Sequence, residues 1–352
     1  MDTVANHDLF MRRCHTLAML GSGHVAPNPL VGCVIVKNGA IIGEGYHRKY
    51  GGPHAEVDAM MSVKDHSQLE GATLYVNLEP CNHHGKTPPC AESIIDAGIS
   101  EVIIGNVDPN PIVSGSGIAF LKSKGLNVFT GVLEQDGLFL NRRFFTFHTK
   151  KRPYVILKWA KSQDGYIAPD ASFRKNTTGP YWISNEKSRL LVQKWRGEEQ
   201  AIMVGRGTIE ADDPSLTCRY PNGENPIRII IDPQLSLGKR YKVFSESGKV
   251  IVLNLKMSAH DGNCHYLKFE NRNAQSILKA LYLEGIQSVL VEGGTNTLSF
   301  FLKENLWDEC RVFTGQSIFN SGIKSPVLRF KASDTLAIDG DVLGLYLNKS
   351  AN

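Results

Sequence analysis

Apolar positions along this chain recur in helical and strand rhythms that alternate throughout. Residues 7–20 (HDLFMRRCHTLAML) carry apolar side chains at helical spacing and end at Gly21-Ser22-Gly23, which predicts a helix with a glycine stop. VGCVIV (31–36) and AIIGEGY (40–46) flank Lys37-Asn38-Gly39, a hairpin signal because Asn-Gly accepts the positive φ of a tight turn. HAEVDAMMSV (54–63) reads as a helix. TLYVNLEP (73–80), a loop, AESIIDAG (91–98) and EVIIGNV (101–107) follow βαβ grammar, with Pro88 and Pro89 ahead of the helix and Gly98 closing it. GIAFLKSKG and NVFTGV complete an α/β unit near residue 135.

A basic and aromatic stretch, DGLFLNRRFFTFHTKKR (136–152), precedes Pro153 and is expected to connect two domains, residues 1–148 and 152–352. Beyond it a second α/β pattern begins: YVILKWA (154–160), a helix near 185–196, AIMVG (201–205) and PIRIIID (226–232). It continues with KVIVLNL (249–255), a helix near 273–284, SVLVEGG (288–294) and a helix from about 295 to 304. Several strands are continuous Val/Ile/Leu runs, as expected where helices cover both sheet faces. With no internal repeat and no low-complexity tract, the halves read as two different α/β domains.

Composition narrows the function. The chain has 352 residues, 42% hydrophobic and 21% charged, with 39 Lys+Arg against 35 Asp+Glu. A net charge of +4 without basic runs argues against a dedicated nucleic-acid binder. No window approaches the ~18 continuous apolar residues of a membrane span, and the first residues lack signal-peptide grammar. Seven cysteines are odd in number and too sparse for a disulfide framework, so the expectation is a soluble, cytoplasmic protein without membrane or nucleic-acid partners. Nine of the eleven histidines lie at or before His148, and Cys81 and Cys90 bracket His83 and His84, which directs the search for a metal to the first half.

His54-Ala55-Glu56 is followed 24 residues later by Pro80-Cys81 and then by Cys90. A catalytic zinc needs three protein ligands and one open position, and His54, Cys81 and Cys90 supply an imidazole and two thiolates. Zinc lowers the pKa of its water towards about 7, and a separate group must carry the proton to a departing amine. Glu56, two residues from the ligand histidine, has that place as the catalytic carboxylate. The pattern is close to the H-x-E…P-C-x-x-C of zinc deaminases, but eight residues separate the cysteines here instead of two. A structural zinc closed by His83 or His84 is the alternative, and Glu56 argues against it because a structural site has no use for a shuttle acid.

The run Pro80-Cys81-Asn82-His83-His84-Gly85-Lys86-Thr87-Pro88-Pro89-Cys90, with Pro27-Asn28-Pro29 and Pro53-His54-Ala55-Glu56, resembles the deaminase half of the bifunctional riboflavin-biosynthesis deaminase/reductase family. The resemblance implies a cytidine-deaminase-like three-layer α/β/α domain with one Zn2+ per chain. It also implies hydrolytic removal of the 2-amino group from 2,5-diamino-6-(5-phosphoribosylamino)pyrimidin-4(3H)-one. Lys86 or the neighbouring histidines would then meet the substrate phosphate, unless the insert is a solvated loop. Asn28 would touch the substrate, unless it is a turn residue between two prolines.

No G-x-G-x-x-G follows a strand in the second half, so a Rossmann site is disfavoured. SVLVEGGTNTL (288–298) instead gives a strand, a paired glycine and a helix opening, where N–H groups can meet a phosphate. Together with LKWAKSQDGYIA (157–168), YWIS (181–184), Arg196 and GRGTIEADDPSLTCR (205–219), it resembles the family's reductase half, which has a dihydrofolate-reductase-like α/β fold. That implies NADPH and reduction of 5-amino-6-(5-phosphoribosylamino)uracil to the ribitylamino product. By the same resemblance Ala160, Trp182, Thr208, Asp212 and Gly294, Thr295, Asn296, Thr297, Leu298, Ser299 and Phe300 meet the cofactor. Arg196, Leu216, Arg219 and Glu292 meet the substrate, the arginines holding its phosphate bidentately. Asp212-Asp213-Pro214 also reads as a capping turn, and Asp164-Gly165 as a hairpin turn. Pro180 and Pro233 depart from the family by removing expected polar contacts. The family assembles through its reductase domain, so a homo-oligomer acting on small phosphorylated pyrimidines is expected. The rival reading is a nucleic-acid or nucleoside base deaminase with an unrelated C-terminal domain. It has one candidate strand-binding segment, Arg142-Arg143-Phe144-Phe145 with Lys150-Lys151-Arg152.

Overall fold

The computed structural model describes residues 3–82, 89–111, 113–170 and 181–349, with side chains from residue 7 onward. Two compact units divide the chain, Met1–Lys150 and Lys151–Asn352. Among the described residues no helix is long and apolar enough to cross a membrane.

The N-terminal unit runs α1 (Thr3–Met19), β1 (Gly32–Lys37), β2 (Ala40–Tyr46), α2 (Ala55–Ser62), β3 (Thr73–Leu78), α3 (Cys90–Asp96), β4 (Glu101–Asn106), α4 (Ser116–Ser123), β5 (Asn127–Thr130), α5 (Glu134–Leu140) and α6 (Arg142–Lys150). Its sheet order is β2-β1-β3-β4-β5, with β1 antiparallel to both neighbours and β3, β4 and β5 parallel. The β1–β2 turn falls at Asn38 and Gly39, with φ of 54° and 76°, the pair of positive angles that a two-residue hairpin demands. Side chains alternate across the sheet. Val34, Val36, Tyr75 and Ile103 pack under α1, while Cys33, Ile35, Leu74, Val76 and Ile104 pack on the opposite face against α2, α3 and α4. The result is a three-layer α/β/α unit. Gly45 lets α2 lie directly on β2, since a Cβ there would stand 2.2 Å from the backbone nitrogen of Ala59.

The stretch 136–152 is not a free connector. Most of it forms α5 and α6, which belong to the first unit: Asn141 Oδ1 accepts the N–H of Leu30, its Nδ2 donates to Leu30 O, and Phe144 is buried. Helical spacing buries one stripe of a segment whose other faces are basic, and composition alone hid that stripe.

The C-terminal unit runs β6 (Tyr154–Lys161), β7 (Tyr166–Pro169), α7 (Glu186–Glu198), β8 (Ala201–Gly205), α8 (Arg206–Asp212), β9 (Ile227–Ile231), α9 (Lys242–Ser245) and β10 (Val250–Asn254). Then come β11 (Ala259–Asp261), β12 (Cys264–Lys268), α10 (Ala274–Leu283), β13 (Ser288–Val291), α11 (Thr295–Lys303), β14 (Glu309–Thr314), β15 (Gly322–Lys324), β16 (Asp334–Ile338) and β17 (Asp341–Leu347). Ten strands form one sheet in the order β11-β12-β10-β9-β8-β13-β6-β14-β17-β16, and β15 pairs with β7 in a separate ribbon. From β12 to β14 the pairing is parallel throughout, with antiparallel edges at β11 and at β17–β16. One face packs on α10 and α11 through Ile277, Leu281, Leu298 and Phe301; the other packs on α7, α8 and α9 through Val192, Trp195, Ile209 and Val243. That two-sided covering explains the unbroken aliphatic runs of β8, β9, β10 and β13.

Candidate active sites

In the N-terminal unit three donor atoms converge. His54 stands immediately before α2 in extended backbone, Cys81 follows β3, and Cys90 opens α3. His54 Nδ1 lies 3.1 Å from Cys90 Sγ and 3.5 Å from Cys81 Sγ, and one ligand atom from each of the three falls within 4.8 Å of the others. The backbone N–H of Cys90 also points at Cys81 Sγ, 3.4 Å away. Hydrogen bonding from Cys90 holds the Cys81 thiol down to about 4, and the bond to Cys81 lifts His54 to about 9, while the Cys81 thiolate and burial push the Cys90 thiol up. Three soft donors sharing protons at such distances are what a tetrahedral zinc would relieve, because it takes their lone pairs in place of those protons. The residues present fit that metal.

Glu56, the second residue of α2, is buried beside these donors. Burial pushes its carboxyl up to about 7, where it can both take and return a proton near neutrality. His54, Glu56 and Cys81 line a cavity of about 210 Å3 with Asn28, His47, Asp108, Asn110 and Phe144 among others.

The walls of this cavity are fixed by buried polar groups that carry no motif. Asn77 Oδ1 accepts the N–H of Gly32, and Asn77 and Asn141 both donate to Leu30 O, which sets the loop bearing Asn28. His47 Nδ1 faces Pro53 O at 2.9 Å, so that nitrogen carries the proton and Nε2 accepts from Asn28 Nδ2 at 3.0 Å. The bond leaves the amide oxygen of Asn28 as the acceptor free for the cavity. Burial lowers the His47 pKa, which keeps the ring neutral and the arrangement intact. Glu79 accepts four backbone N–H groups, from Asp108, Gly115, Gly117 and Ile118, and so pins the loop that carries Asp108 and Asn110. Sequence reasoning found Asn28 and missed His47, Glu79 and Asp108. Glu79, directly ahead of Pro80-Cys81, was the one with a positional signal. Lys86, His83 and His84 lie outside the described residues.

In the C-terminal unit a cavity of about 820 Å3 opens beyond the carboxyl ends of β6, β8 and β13, the place where parallel sheets hold ligands. Ala160, Thr208, Asp212, Glu292, Gly294, Thr295, Asn296 and Thr297, all assigned to cofactor or substrate by the family resemblance, line it. Gly293 is required for the turn: a Cβ there would sit 2.6 Å from Thr297 Cβ. Thr208 Oγ1 accepts the N–H of Gly294, tying α8 to the start of α11.

Lys158, unnoticed in the sequence, lines the same cavity and lies 3.7 Å from Glu292 Oε2. Arg196 meets that carboxylate head-on, Nε to Oε1 at 2.8 Å and Nη2 to Oε2 at 2.9 Å, with Nη1 on Thr217 O. Burial alone would raise the Glu292 carboxyl, but Arg196 and Lys158 outweigh it and hold it at about 2. Burial draws the Lys158 ammonium below its ordinary value while Glu292 opposes that.

Several expectations need correction. The guanidinium fork of Arg196 meets Glu292, so a carboxylate, and not a phosphate, is its bidentate partner in this structure. Leu298 is fully buried, with its side chain in the core and its N–H on Gly294 O. Leu216 is likewise buried, in left-handed backbone with φ of 57°. Neither side chain reaches the cavity. Trp182 is exposed under Arg189, and its neighbour Tyr181 lines the cavity instead. Arg219 and Ser299 line neither large cavity of this unit, and Phe300 lines the second, smaller one. In the turn Asp212-Asp213-Pro214, Asp213 closes α8 in left-handed backbone and accepts the N–H of Lys242. Asp164 and Gly165 do make a turn, with φ of 93° at Gly165 and Asp164 accepting the N–H groups of Phe319 and Asn320. Pro180 lies outside the described residues.

Residues 4–106 match the family model of the cytidine and deoxycytidylate deaminase zinc-binding region, and residues 153–322 that of the RibD C-terminal domain. The riboflavin biosynthesis protein RibD of Aquifex aeolicus is 40% identical over 321 residues, 89% of this chain and 88% of that protein. A solved diaminohydroxyphosphoribosylaminopyrimidine deaminase/5-amino-6-(5-phosphoribosylamino)uracil reductase from Thermotoga maritima is 40% identical, with a TM-score of 0.87 over 97% of this chain and 98% of its own. RibD of Acinetobacter baumannii is 32% identical, with a TM-score of 0.87 over 98% and 99% of the two chains.

Proposed function

Because this chain belongs to the RibD family of riboflavin biosynthesis proteins, a bifunctional deaminase and reductase, we propose how its own residues divide the two reactions. Residues 1–148 form the cytidine-deaminase-like domain and residues 152–352 the dihydrofolate-reductase-like domain. The first acts on 2,5-diamino-6-(5-phosphoribosylamino)pyrimidin-4(3H)-one and the second on the deaminated uracil. Both substrates are small phosphorylated pyrimidines, handled without nucleic acid by a cytoplasmic homo-oligomer.

His54, Cys81 and Cys90 would hold the zinc. When bound, zinc supplies a Lewis acid that makes hydroxide available at neutral pH. Glu56 takes the proton of the attacking water and delivers it to the 2-amino nitrogen, which departs as ammonia. Its buried position and a value near 7 suit both transfers. Asn28 presents its amide oxygen to an N–H of the substrate, an orientation set by His47. Lys86 is assigned to the substrate phosphate on family likeness. The observation that carries this reading is the convergence of three metal donors within 4.8 Å of one another, two of them, His54 and Cys81, lining one cavity with the buried carboxylate of Glu56.

In the second domain NADPH, when bound, supplies the hydride. Turning the ribosyl ring into a ribityl chain adds that hydride to the anomeric carbon and a proton to the ring oxygen that leaves it. Lys158, buried in the cavity and leaning on Glu292, is the proton donor within this site. Arg196 positions Glu292, and the first turn of α11 offers its N–H groups to the cofactor's phosphates. Of the remaining positions assigned to substrate, Arg219 is exposed and able to meet the phosphate, while Leu216 contributes packing.

Glu56→Gln tests the first half. It is expected to keep stoichiometric zinc by metal analysis yet to lower ammonia release by about 100-fold or more, with NADPH oxidation on the deaminated substrate intact. Ammonia release at the unsubstituted rate would remove Glu56 from the mechanism.

A further inference from the structure

A second cavity of the C-terminal unit, about 490 Å3, shares Gly205, Gly207, Asn296 and Thr297 with the larger one, so the two form one continuous cleft. Its walls are mostly apolar, built from Ile231, Pro233, Phe269, Ile277 and Phe300, a slot suited to a flat heteroaromatic ring. Two guanidinium groups stand at its border, Arg206 from the start of α8 and Arg272 from the loop before α10. Arg206 has one weak partner, Glu210 at 3.7 Å, with both side chains near half exposure. Arg272 is exposed and has no hydrogen-bond or ion-pair partner among the described residues. Two cations without committed partners facing one pocket call for a dianion.

One feature of the slot opposes a negative ligand. Asp232, at the end of β9, is buried, and one carboxylate oxygen accepts the N–H of Leu237 while the other has no partner. In Rossmann sites, a different fold, a carboxylate takes the ribose 2′-hydroxyl and favours NADH, whereas an arginine accommodates a 2′-phosphate, and the same charge logic applies to any cleft that meets that phosphate. Pro233 brings no N–H to this end of the cleft, and among the described residues the arginines are the only cationic groups lining it. Resting on the NADPH reading above, we infer that Arg206 and Arg272 together grip the 2′-phosphate of NADPH and are the residues that set its preference over NADH. The nicotinamide end then extends into the larger cavity beside Glu292 and Lys158.

Direct binding tests this without turnover. The full-length protein is titrated with NADPH and with NADH, and bound NADPH is displaced with 2′,5′-ADP and with 5′-AMP, which differ by the phosphate in question. Arg206→Gln and Arg272→Gln should each weaken NADPH binding by about 10-fold, the equivalent of one charge-assisted contact, and the double variant by more. NADH affinity should stay within about 2-fold, and the advantage of 2′,5′-ADP over 5′-AMP should collapse. NADPH affinity in the unsubstituted protein should also fall more steeply with salt than NADH affinity. Equal weakening of both coenzymes, or unchanged NADPH affinity, overturns the assignment. Tighter binding of NADH than NADPH by the unsubstituted protein would overturn it as well. If that protein binds neither coenzyme, the cofactor reading beneath the inference fails first.

Discussion

In the N-terminal unit the donors of the candidate metal site come from two helix starts and the end of one strand, and their ligand atoms lie within 4.8 Å of one another. In the C-terminal unit the cavity walls run from Lys158 to Ile323, and much of the lining is glycine, alanine or the backbone of a helix start. The first site works through the chemistry of a few side chains, whose identity cannot vary without losing the ligand set. The second works through shape and through charges met across the fold, so most of its positions ask only for a small residue. Motifs record the first kind of constraint far better than the second.

The comparison breaks most sharply at Cys90. Cys90→Ala should abolish zinc binding and ammonia release while NADPH oxidation on the deaminated substrate continues; loss of both activities would show that the sites are not separable. Next comes Arg196→Gln, which leaves Glu292 and Lys158 as an incomplete buried cluster. Removing one partner of a buried ion pair costs roughly 3–5 kcal/mol, so denaturant unfolding should show the C-terminal unit weakened by about that much and the zinc-dependent activity unaffected at low denaturant. An effect confined to the Michaelis constant for substrate, with stability unchanged, would restore a phosphate-binding role to Arg196.

Acid sharpens the contrast. Glu292 is held at about 2 against an ordinary 4.5, so its contribution to stability is complete above the unfolded value and disappears as the pH falls through the folded one. That difference is worth on the order of 3 kcal/mol, and the melting temperature of the C-terminal unit should decline between about pH 5 and pH 2. Glu292→Gln should flatten that decline, and an undiminished slope would place the acid sensitivity elsewhere. The smallest effect is expected at Gly45→Ala. A Cβ 2.2 Å from Ala59 N forces α2 off its strand, at roughly 1–3 kcal/mol, and zinc affinity should fall because His54 moves with the helix. Unchanged affinity would mean that the ligand is held by its loop alone.

The strands and helices with strong periodicity were legible in the sequence, from the Asn38-Gly39 hairpin to the aliphatic runs of the parallel sheet. Residues 309–347 were not, and the reason is chemical. β14 reads ECRVFT yet lies inside the sheet, because Arg311 is buried against Glu309 at 2.6 Å with its guanidinium carbon 4.5 Å from the centre of the Trp195 ring. A charged pair that neutralises itself in the core breaks the hydrophobic pattern that a strand would otherwise show. The pairing of Arg196 was illegible for a related reason: its partner Glu292 is 96 positions away, and no spacing rule joins two residues so far apart. His47 and Glu79 work by fixing other groups, and no spacing rule marks residues of that kind.

The position of β6 has a consequence for how the protein is made. Both of its edges are filled by strands that emerge late from the ribosome, β13 on one side and β14 on the other. The N-terminal sheet is complete by residue 130, so it can close while synthesis continues. The nascent C-terminal unit must carry an apolar strand with both rims unpaired until β13 has emerged, and with one rim still open until translation passes residue 314. A stalled or truncated product ending before that point would leave a finished deaminase tethered to an aggregation-prone stub.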